Sequence, residues 1–444
     1  MSQKTKNTAK NAKTMKNFQK FLKLKSTKTQ NEDVPSKNSW SPVAILVILI
    51  PLLVYFSLRL FINYAPYFVE KEIFASTCEL ADMYNYSCSE HKITTQDGYI
   101  LSMQRIGKVN STNFSSESNS SDTKVALLMH CLECDSSVFL SNTAENSLGF
   151  LLAENNIDVW LANVRGTSYS LQHVNYTIYD SEFWNFSLFE MAKYDLTASV
   201  DYLLTVAKTD QIFYIGQSQG TIIAFSQMAE NFDFQAKIKK AYMLTPFVTL
   251  QNIQSPIKSM LAFIHNYIHW PKNSVFLPDL IRQLINKASA TYCSNDIFGL
   301  CLGTYHQFSG LTTPENMDPK RIPIFFTHAL SGTSLKTIRH YAQLHLFKQP
   351  TVHFDYQEEK LNFEKYGSKT PPKIALEKVS IPIALFAGQN DWLVSSLDVQ
   401  YLLDRLPNVF HFSNSSDFSH LDFIFGTRAK ELVYDFITED ISKV

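Results

Sequence analysis

The stretch that most restricts how this chain can fold is Gln211-Ile-Phe-Tyr-Ile-Gly-Gln-Ser-Gln-Gly220, followed at once by Thr-Ile-Ile-Ala-Phe225. The β-branched and aromatic run from Ile212 to Ile215 reads as a buried strand, and the apolar spacing Ile222, Ile223, Phe225, Met228 opens a helix. Between them Gly216-Gln-Ser-Gln-Gly220 fits G-x-S-x-G, in the strand–turn–helix setting that a nucleophile elbow requires. A serine on so sharp a turn leaves no room for side chains at the flanking positions, so glycines let neighbouring backbone pass. Its hydroxyl is pushed above the sheet, while N–H groups at the helix start face developing negative charge. An ordinary glycine-rich strand-to-helix turn has the same letters. The strand before it and the helix after it favour the elbow.

With 444 residues and 45% hydrophobic content, the chain can build one large α/β domain or two ordinary ones. A formal net charge of −1 argues against nucleic acid as the main partner. Charge is unevenly spread, however. Ten lysines and only Glu32 and Asp33 as acids precede Ser41, so residues 1–42 read as a basic, disordered tail. Val43-Ala-Ile-Leu-Val-Ile-Leu-Ile-Pro-Leu-Leu-Val-Tyr-Phe-Ser-Leu58 follows, then Arg59-Leu-Phe-Ile62. If Arg59 snorkels, the segment reaches about 20 residues, enough to cross a bilayer. The n-region is too long for a cleaved signal peptide. The lysine excess places the tail in the cytosol and everything after it in the lumen or outside the cell, a single-pass type II arrangement anchored by residues 43–65. The rival is a monotopic hairpin bent at Pro51, on the surface of the endoplasmic reticulum or a lipid droplet, with both ends cytosolic.

The six cysteines fall in three close pairs. In an oxidising compartment Cys78 with Cys88, and Cys293 with Cys301, would close small loops as disulfides. For Cys131-Leu-Glu-Cys134 zinc is an alternative, but no second Cys or His pair stands at ligand spacing, and no metal is expected.

Further along, Lys92-Ile-Thr-Thr and Tyr99-Ile-Leu-Ser-Met-Gln-Arg-Ile106 flank Asp97-Gly98 and read as a hairpin with a two-residue turn. Strands at 125–129, 157–161, 212–215 and 240–244 alternate with helices at 148–154 and 190–206, the pattern of a parallel sheet. From about 248 to 380 the alternation stops, and aromatic-rich amphipathic helices are expected at 253–270 and 277–285. It resumes with a strand at 381–387 and helices near 399–406 and 427–437. The reading is therefore a core of 70–247 and 381–444 with an inserted, largely helical cap at 248–380, placed to cover a site as a lid. Residue for residue, the cap's aromatic stripes are more often core than substrate groove.

A serine needs an imidazole to activate it and a carboxylate to orient that imidazole. On the fold this pattern implies, the three follow in the order Ser, Asp, His. Asp391 stands just after the strand at 381–387, in Gly388-Gln-Asn-Asp-Trp-Leu393, and His420 lies in Ser419-His-Leu-Asp-Phe-Ile-Phe-Gly426, ahead of the last helix. His411 belongs to an apolar strand-like run; Asp398, Asp417 and Asp422 read as a helix start, a loop residue and a neighbour of His420.

At these residues the chain resembles the acid lipase family, which includes lysosomal acid lipase, gastric lipase and fungal steryl ester hydrolases. The blocks that carry the resemblance are Thr95-Gln-Asp-Gly-Tyr-Ile-Leu, Asp158-Val-Trp-Leu-Ala-Asn-Val-Arg-Gly166, Phe183-Trp-Asn-Phe-Ser, Met191-Ala-Lys-Tyr-Asp-Leu196, Gly216-Gln-Ser-Gln-Gly220, His328-Ala-Leu-Ser-Gly-Thr-Ser334, Asn390-Asp-Trp-Leu393 and His420-Leu-Asp-Phe-Ile424. The resemblance implies an α/β-hydrolase fold with a mostly parallel central sheet, and a cofactor-free serine ester hydrolase acting on neutral lipid esters such as steryl esters or triacylglycerols. No obligate protein partner is evident. It makes Ser218 the nucleophile, Asp391 the orienter, His420 the general base, and Cys293–Cys301 the cap disulfide. The expected oxyanion donors are the backbone N–H groups of Leu132 and Gln219. The family's His-Gly-Leu is here His130-Cys-Leu132, and Gln217 stands where many members carry His. Those departures keep open a catalytically silent lipid-binding relative; an acyltransferase or peptidase on the same fold is the other alternative.

Sequons occur at Asn85, Asn110, Asn113, Asn119, Asn175, Asn185 and Asn414, and never before the apolar segment. Deglycosylation of the expressed chain is therefore expected to increase its electrophoretic mobility. An unchanged band favours the cytosolic hairpin.

Overall fold

The continuous apolar runs become the middle of a nine-stranded sheet. The computed structural model describes residues 71–109, 124–268, 273–294, 299–347 and 353–444, all within one unit spanning 64–444. The apolar segment at 43–65, the basic tail and the sequons at Asn110, Asn113 and Asn119 lie outside the described residues. Among the described residues no helix is long and apolar enough to cross a membrane. The strands are β1 (Tyr86–Thr94), β2 (Tyr99–Lys108), β3 (Val125–Met129), β4 (Asp158–Ala162), β5 (Gln172–His173), β6 (Ile212–Gln217), β7 (Ile238–Leu244), β8 (Ile383–Gly388) and β9 (Val409–Ser415). Their order is β1-β2-β4-β3-β6-β7-β8-β9, with β5 paired to β2. Pairing is parallel from β4 through β9 and antiparallel at the β1, β2 end. Every residue of β3, β4, β6 and β8 is buried. Parallel strands are covered on both faces, which is why they read as unbroken apolar runs.

Local chemistry moves several boundaries. The β1–β2 connection is a three-residue loop, Gln96-Asp97-Gly98, rather than a two-residue turn: Thr95 N–H donates to the Tyr99 carbonyl at 2.8 Å and Gly98 takes φ +98°. Thr95 Oγ1 donates to Asp97 at 2.7 Å, which closes the loop one residue wider. The helix expected over 190–206 is interrupted by a π-helical stretch, Met191–Leu196, before Thr197–Ala207. The last helix likewise starts from a π-helical turn, Lys430–Tyr434, and continues as Asp435–Lys443.

Between β7 and β8 the chain is helical: Ile257–Tyr267, Asp279–Cys293, Leu300–Ser309, Ile322–His328, Leu335–Leu346 and Glu359–Tyr366. Expecting the aromatic stripes there to be core fails for Phe263, Tyr267 and Tyr292, which are exposed because these helices offer their outer faces to solvent. Cys78–Cys88 ties the helix Thr77–Met83 to β1, and Cys293–Cys301 joins two helices of the insertion. Cys131 and Cys134 are also bonded to each other, so that pair offers no thiolates to zinc.

Three of the sequence blocks meet at one buried cation. Arg165 reaches Asp97 with Nη1 at 2.6 Å and Asp195 with Nε at 2.8 Å, its own N–H donates to Asp195 at 2.9 Å, and its guanidinium lies 3.8 Å from the Tyr99 ring centre. The Asp-Gly hairpin, the strand β4 exit and the π-helical stretch are locked together there. Replacing Arg165 with Met leaves two carboxylates without their counter-ion, so a loss of about 3–5 kcal/mol is expected in urea unfolding. A loss under about 1 kcal/mol would show that the cluster does not hold these elements together.

Candidate active site

Ser218 sits between β6 and the helix Gln219–Glu230 with φ +52° and ψ −107°, a conformation that non-glycine residues rarely adopt. The flanking glycines make it possible. A Cβ on Gly220 would lie 2.5 Å from the Met129 carbonyl, and one on Gly216 would lie 2.8 Å from the Tyr214 ring and 2.9 Å from Gly220. Ser218 N–H donates to the Leu244 carbonyl at 2.9 Å, and Tyr214 Oη donates to the Gly220 carbonyl at 2.7 Å. The elbow is thus pinned from β7 and from within its own strand.

His420 Nε2 lies 2.8 Å from Ser218 Oγ, and its Nδ1 lies 2.7 Å from Asp391 Oδ2. With Nδ1–H donated to the carboxylate, Nε2 of the neutral ring is the acceptor for the serine hydroxyl. Asp391 Oδ1 accepts the N–H groups of Leu393 and Val394, both at 2.8 Å, so the carboxylate cannot turn away. Its loop leaves β8 where β8 touches the histidine loop: a Cβ on Gly388 would meet the Phe418 carbonyl at 2.2 Å. The structure brings Ser218, Asp391 and His420 together. The competing residues lie in other roles. His411 stacks on Phe436, Asp398 accepts from Ser395 and Asn252 at a helix start, Asp417 pairs with Arg428, and Asp422 holds the Ser419 N–H and the Tyr305 hydroxyl.

Sequence reasoning missed the part played by the insertion. The Ser309 carbonyl accepts both the Trp392 N–H at 3.2 Å and the His420 N–H at 3.0 Å, bridging the two loops that carry Asp391 and His420. The next residue, Gly310, has φ +103° and packs so close that a Cβ would lie 1.8 Å from the Asn390 carbonyl. The only sequence signal was a glycine at the end of a helical pattern. Ser218, Asp391 and His420 are 6%, 3% and 2% exposed, so the cluster is closed over.

The loop after β3 lies beside the elbow because β3 pairs with β6, Met129 opposite Gly216. Val164 N–H donates to His130 Nε2 at 3.2 Å, which leaves the ring proton on Nδ1 to donate to the Cys131 carbonyl at 2.7 Å. Burial pushes the His130 pKa down, in keeping with this neutral form. Cys131 is not among the residues with positive φ; Glu133 is, at +62°. The family's glycine position therefore accommodates a Cβ here without backbone strain. Neither Leu132 N–H nor Gln219 N–H has an acceptor among the described residues, and the latter opens a helix, where no intrahelical acceptor exists. The buried Gln217 amide reaches Thr245 Oγ1 at 3.4 Å. The four sequon asparagines that are described, Asn85, Asn175, Asn185 and Asn414, are all exposed.

A family model for a partial α/β-hydrolase lipase region matches residues 77–143, and one for the α/β hydrolase fold matches residues 141–426. Among curated proteins, Lipase member M of Homo sapiens is 33% identical over 83% of this chain and 85% of its own length. Gastric triacylglycerol lipase of Rattus norvegicus is 33% identical over 80% of this chain and 89% of its own. Lysosomal acid lipase/cholesteryl ester hydrolase of Homo sapiens is 30% identical over 83% and 90%. A solved crystal structure from Sulfolobus solfataricus, 12% identical, superposes over 81% of this chain and 95% of that one with a TM-score of 0.53, a likeness of fold.

Glu133 adds a titration to the loop. The residue as a whole is half-buried, yet both carboxylate oxygens are shut from solvent and lack a hydrogen-bond partner. Burial pushes its pKa up to about 7, only partly offset by the charge of Arg282. A carboxyl raised in the folded state holds its proton after the unfolded chain has lost it, so stability from this group falls as pH rises from about 4.5 to about 7. Glu133→Gln removes that fall. Its stability relative to wild type should rise by on the order of 3 kcal/mol between pH 4.5 and pH 7.5 in denaturant titrations. An offset that is the same at both pH values would contradict the assignment.

Proposed function

The chain belongs to the acid lipase family of α/β-hydrolases and is a carboxylic ester hydrolase, and from that premise we propose that Ser218, His420 and Asp391 carry out the reaction on neutral lipid esters. Ser218 Oγ attacks the ester carbonyl while its proton passes to His420 Nε2, and Asp391 Oδ2 holds the imidazolium through Nδ1–H. The oxyanion rests on the Leu132 and Gln219 N–H groups, where loss of one donor typically costs about 3–4 kcal/mol of transition-state stabilisation. His420 returns the proton to the leaving alcohol, and water repeats the sequence to free the acid. The observation that supports this reading most is the unbroken chain of contacts from hydroxyl to imidazole to carboxylate, 2.8 and 2.7 Å.

Steryl esters and triacylglycerols are the substrate classes, in line with the names of the gastric and lysosomal relatives. In this reading residues 248–380 form the lid over the core segments 70–247 and 381–444. Substrate enters when part of the lid moves aside, since the three residues are closed over at rest. Residues 43–65 anchor the chain, with the tail cytosolic and the catalytic unit lumenal or extracellular.

Ser218→Ala should lower hydrolysis of both cholesteryl oleate and triolein by about 10⁴-fold or more. A fluorophosphonate should label wild type at Ser218 and leave the variant unlabelled. Unlabelled wild type would support the catalytically silent reading, and labelled protein that transfers acyl groups or cleaves peptides in preference to esters would support the other.

A further inference from the structure

Oxyanion donors lower a barrier only if they already point at one place before charge develops, so whatever fixes the Leu132 N–H contributes as much as the N–H itself. The Leu132 N–H and the Cys131 carbonyl belong to one planar trans peptide and point in opposite directions. Holding the carbonyl therefore aims the donor. His130 Nδ1–H donates to that carbonyl at 2.7 Å, and Cys134 N–H donates to it at 3.3 Å. The Cys131–Cys134 disulfide closes the four-residue ring around the same unit, with the Cα atoms 5.2 Å apart. On the far side, Ser331 N–H from the insertion donates to the Glu133 carbonyl.

The ring is kept against local preferences. Glu133 takes φ +62° and leaves both carboxylate oxygens buried without a partner. Non-glycine residues persist in that region only when their surroundings over-determine them. Between Cys131 and Cys134 the sulfur bridge does so covalently, together with the Cys134 and Ser331 N–H bonds to the ring's carbonyls.

We propose that the Cys131–Cys134 disulfide is a positioning device for the oxyanion hole, holding the Cys131–Leu132 peptide so that the Leu132 N–H faces the adduct on Ser218. The bridge neither gains nor loses electrons in the reaction; it restrains the donor where the family's loop has a glycine. The proposal rests on the assignment of Leu132 and Gln219 as donors.

The test uses the full chain and a soluble p-nitrophenyl ester at a temperature well below each variant's Tm. For Cys131→Ala with Cys134→Ala, kcat should fall about 10- to 100-fold with KM nearly unchanged, and labelling of Ser218 by a fluorophosphonate should slow in parallel. Cys131→Gly with Cys134→Ala, which removes the bridge and leaves a looser backbone at 131, should lose at least as much, and a glycine variant as fast as wild type would overturn the proposal. Cys78→Ala with Cys88→Ala, a bridge away from the loop, should lower Tm and leave kcat as in wild type. A wild-type kcat in the first variant would overturn the proposal while leaving Ser218-dependent hydrolysis intact. A fall in kcat with no slowing of fluorophosphonate labelling would mark the bridge as merely structural and overturn it too. A wild-type rate equal to that of Ser218→Ala would sink the triad and the proposal together. If the first variant does not fold, graded reduction of wild type gives the same reading, each bridge being followed by mass mapping. A kcat that tracks the 131–134 bond supports the proposal, and a kcat indifferent to it rejects it.

Discussion

The contact between Gly220 and the Met129 carbonyl is the constraint on which the site depends. With 2.5 Å between that oxygen and the place a Cβ would occupy, only hydrogen can stand there. The close approach brings the start of the helix Gln219–Glu230 against the end of β3, so the loop at 130–132 and the elbow share one corner of the sheet. A wider separation would leave the serine exposed on its turn but with donors too distant to serve it. Gly216 completes the arrangement by letting the turn fold back on itself, and Ser218 takes the strained conformation that neither glycine needs. Strain of this kind costs on the order of 1–3 kcal/mol and persists only because bonds from Leu244 and Tyr214 hold the turn from both sides.

A second constraint comes from outside the sheet. Asp391 and His420 stand on separate loops, 29 residues apart in sequence, that touch directly: Asn390 N–H donates to the Phe418 carbonyl at 3.1 Å and Gln389 N–H to the Ser415 carbonyl at 2.9 Å. The Ser309 carbonyl adds a tie from the insertion, taking an N–H from each loop. The insertion therefore braces the loops that carry Asp391 and His420. Gly310, lying against the Asn390 carbonyl, is the glycine that lets its backbone come so near.

How much of this could be read in the chain follows from how local each cause is. The elbow was legible because its glycines, strand and helix lie within fifteen residues, and the placement of Asp391 and His420 because their order along the chain is tied to the strands they follow. The oxyanion loop was legible only as a departure, Cys131 for glycine; whether a Cβ fits is a matter of φ, which letters do not carry. The hairpin read one residue too tight because Asp-Gly is the signature of a two-residue turn, whereas Thr95 and Arg165 draw Asp97 into other bonds. Met191–Leu196 was unreadable as a π-helical stretch, since one extra residue per turn barely disturbs an apolar pattern judged at 3.6. The bridging carbonyl of Ser309 left no trace beyond the glycine that follows it, because a backbone acceptor can belong to any residue.

These constraints limit how the closed site can open. If the insertion lifted as one body, the Trp392 and His420 N–H groups would lose their shared acceptor, and the Asn390–Phe418 bond would remain as the direct tie between the two loops. On the lid reading, a movement that keeps every tie between the two loops leaves the Ser309–Gly310 segment in place and shifts other parts of the insertion. The helices Ile257–Tyr267 and Asp279–Cys293 fit that requirement: both carry exposed apolar side chains, Phe263 at 55% and Leu280 at 68% among them, and so give up less buried surface on moving. The insertion thus has an inner edge, at Ser309 and Gly310, bonded to the loops of Asp391 and His420, and outer helices whose apolar side chains are exposed.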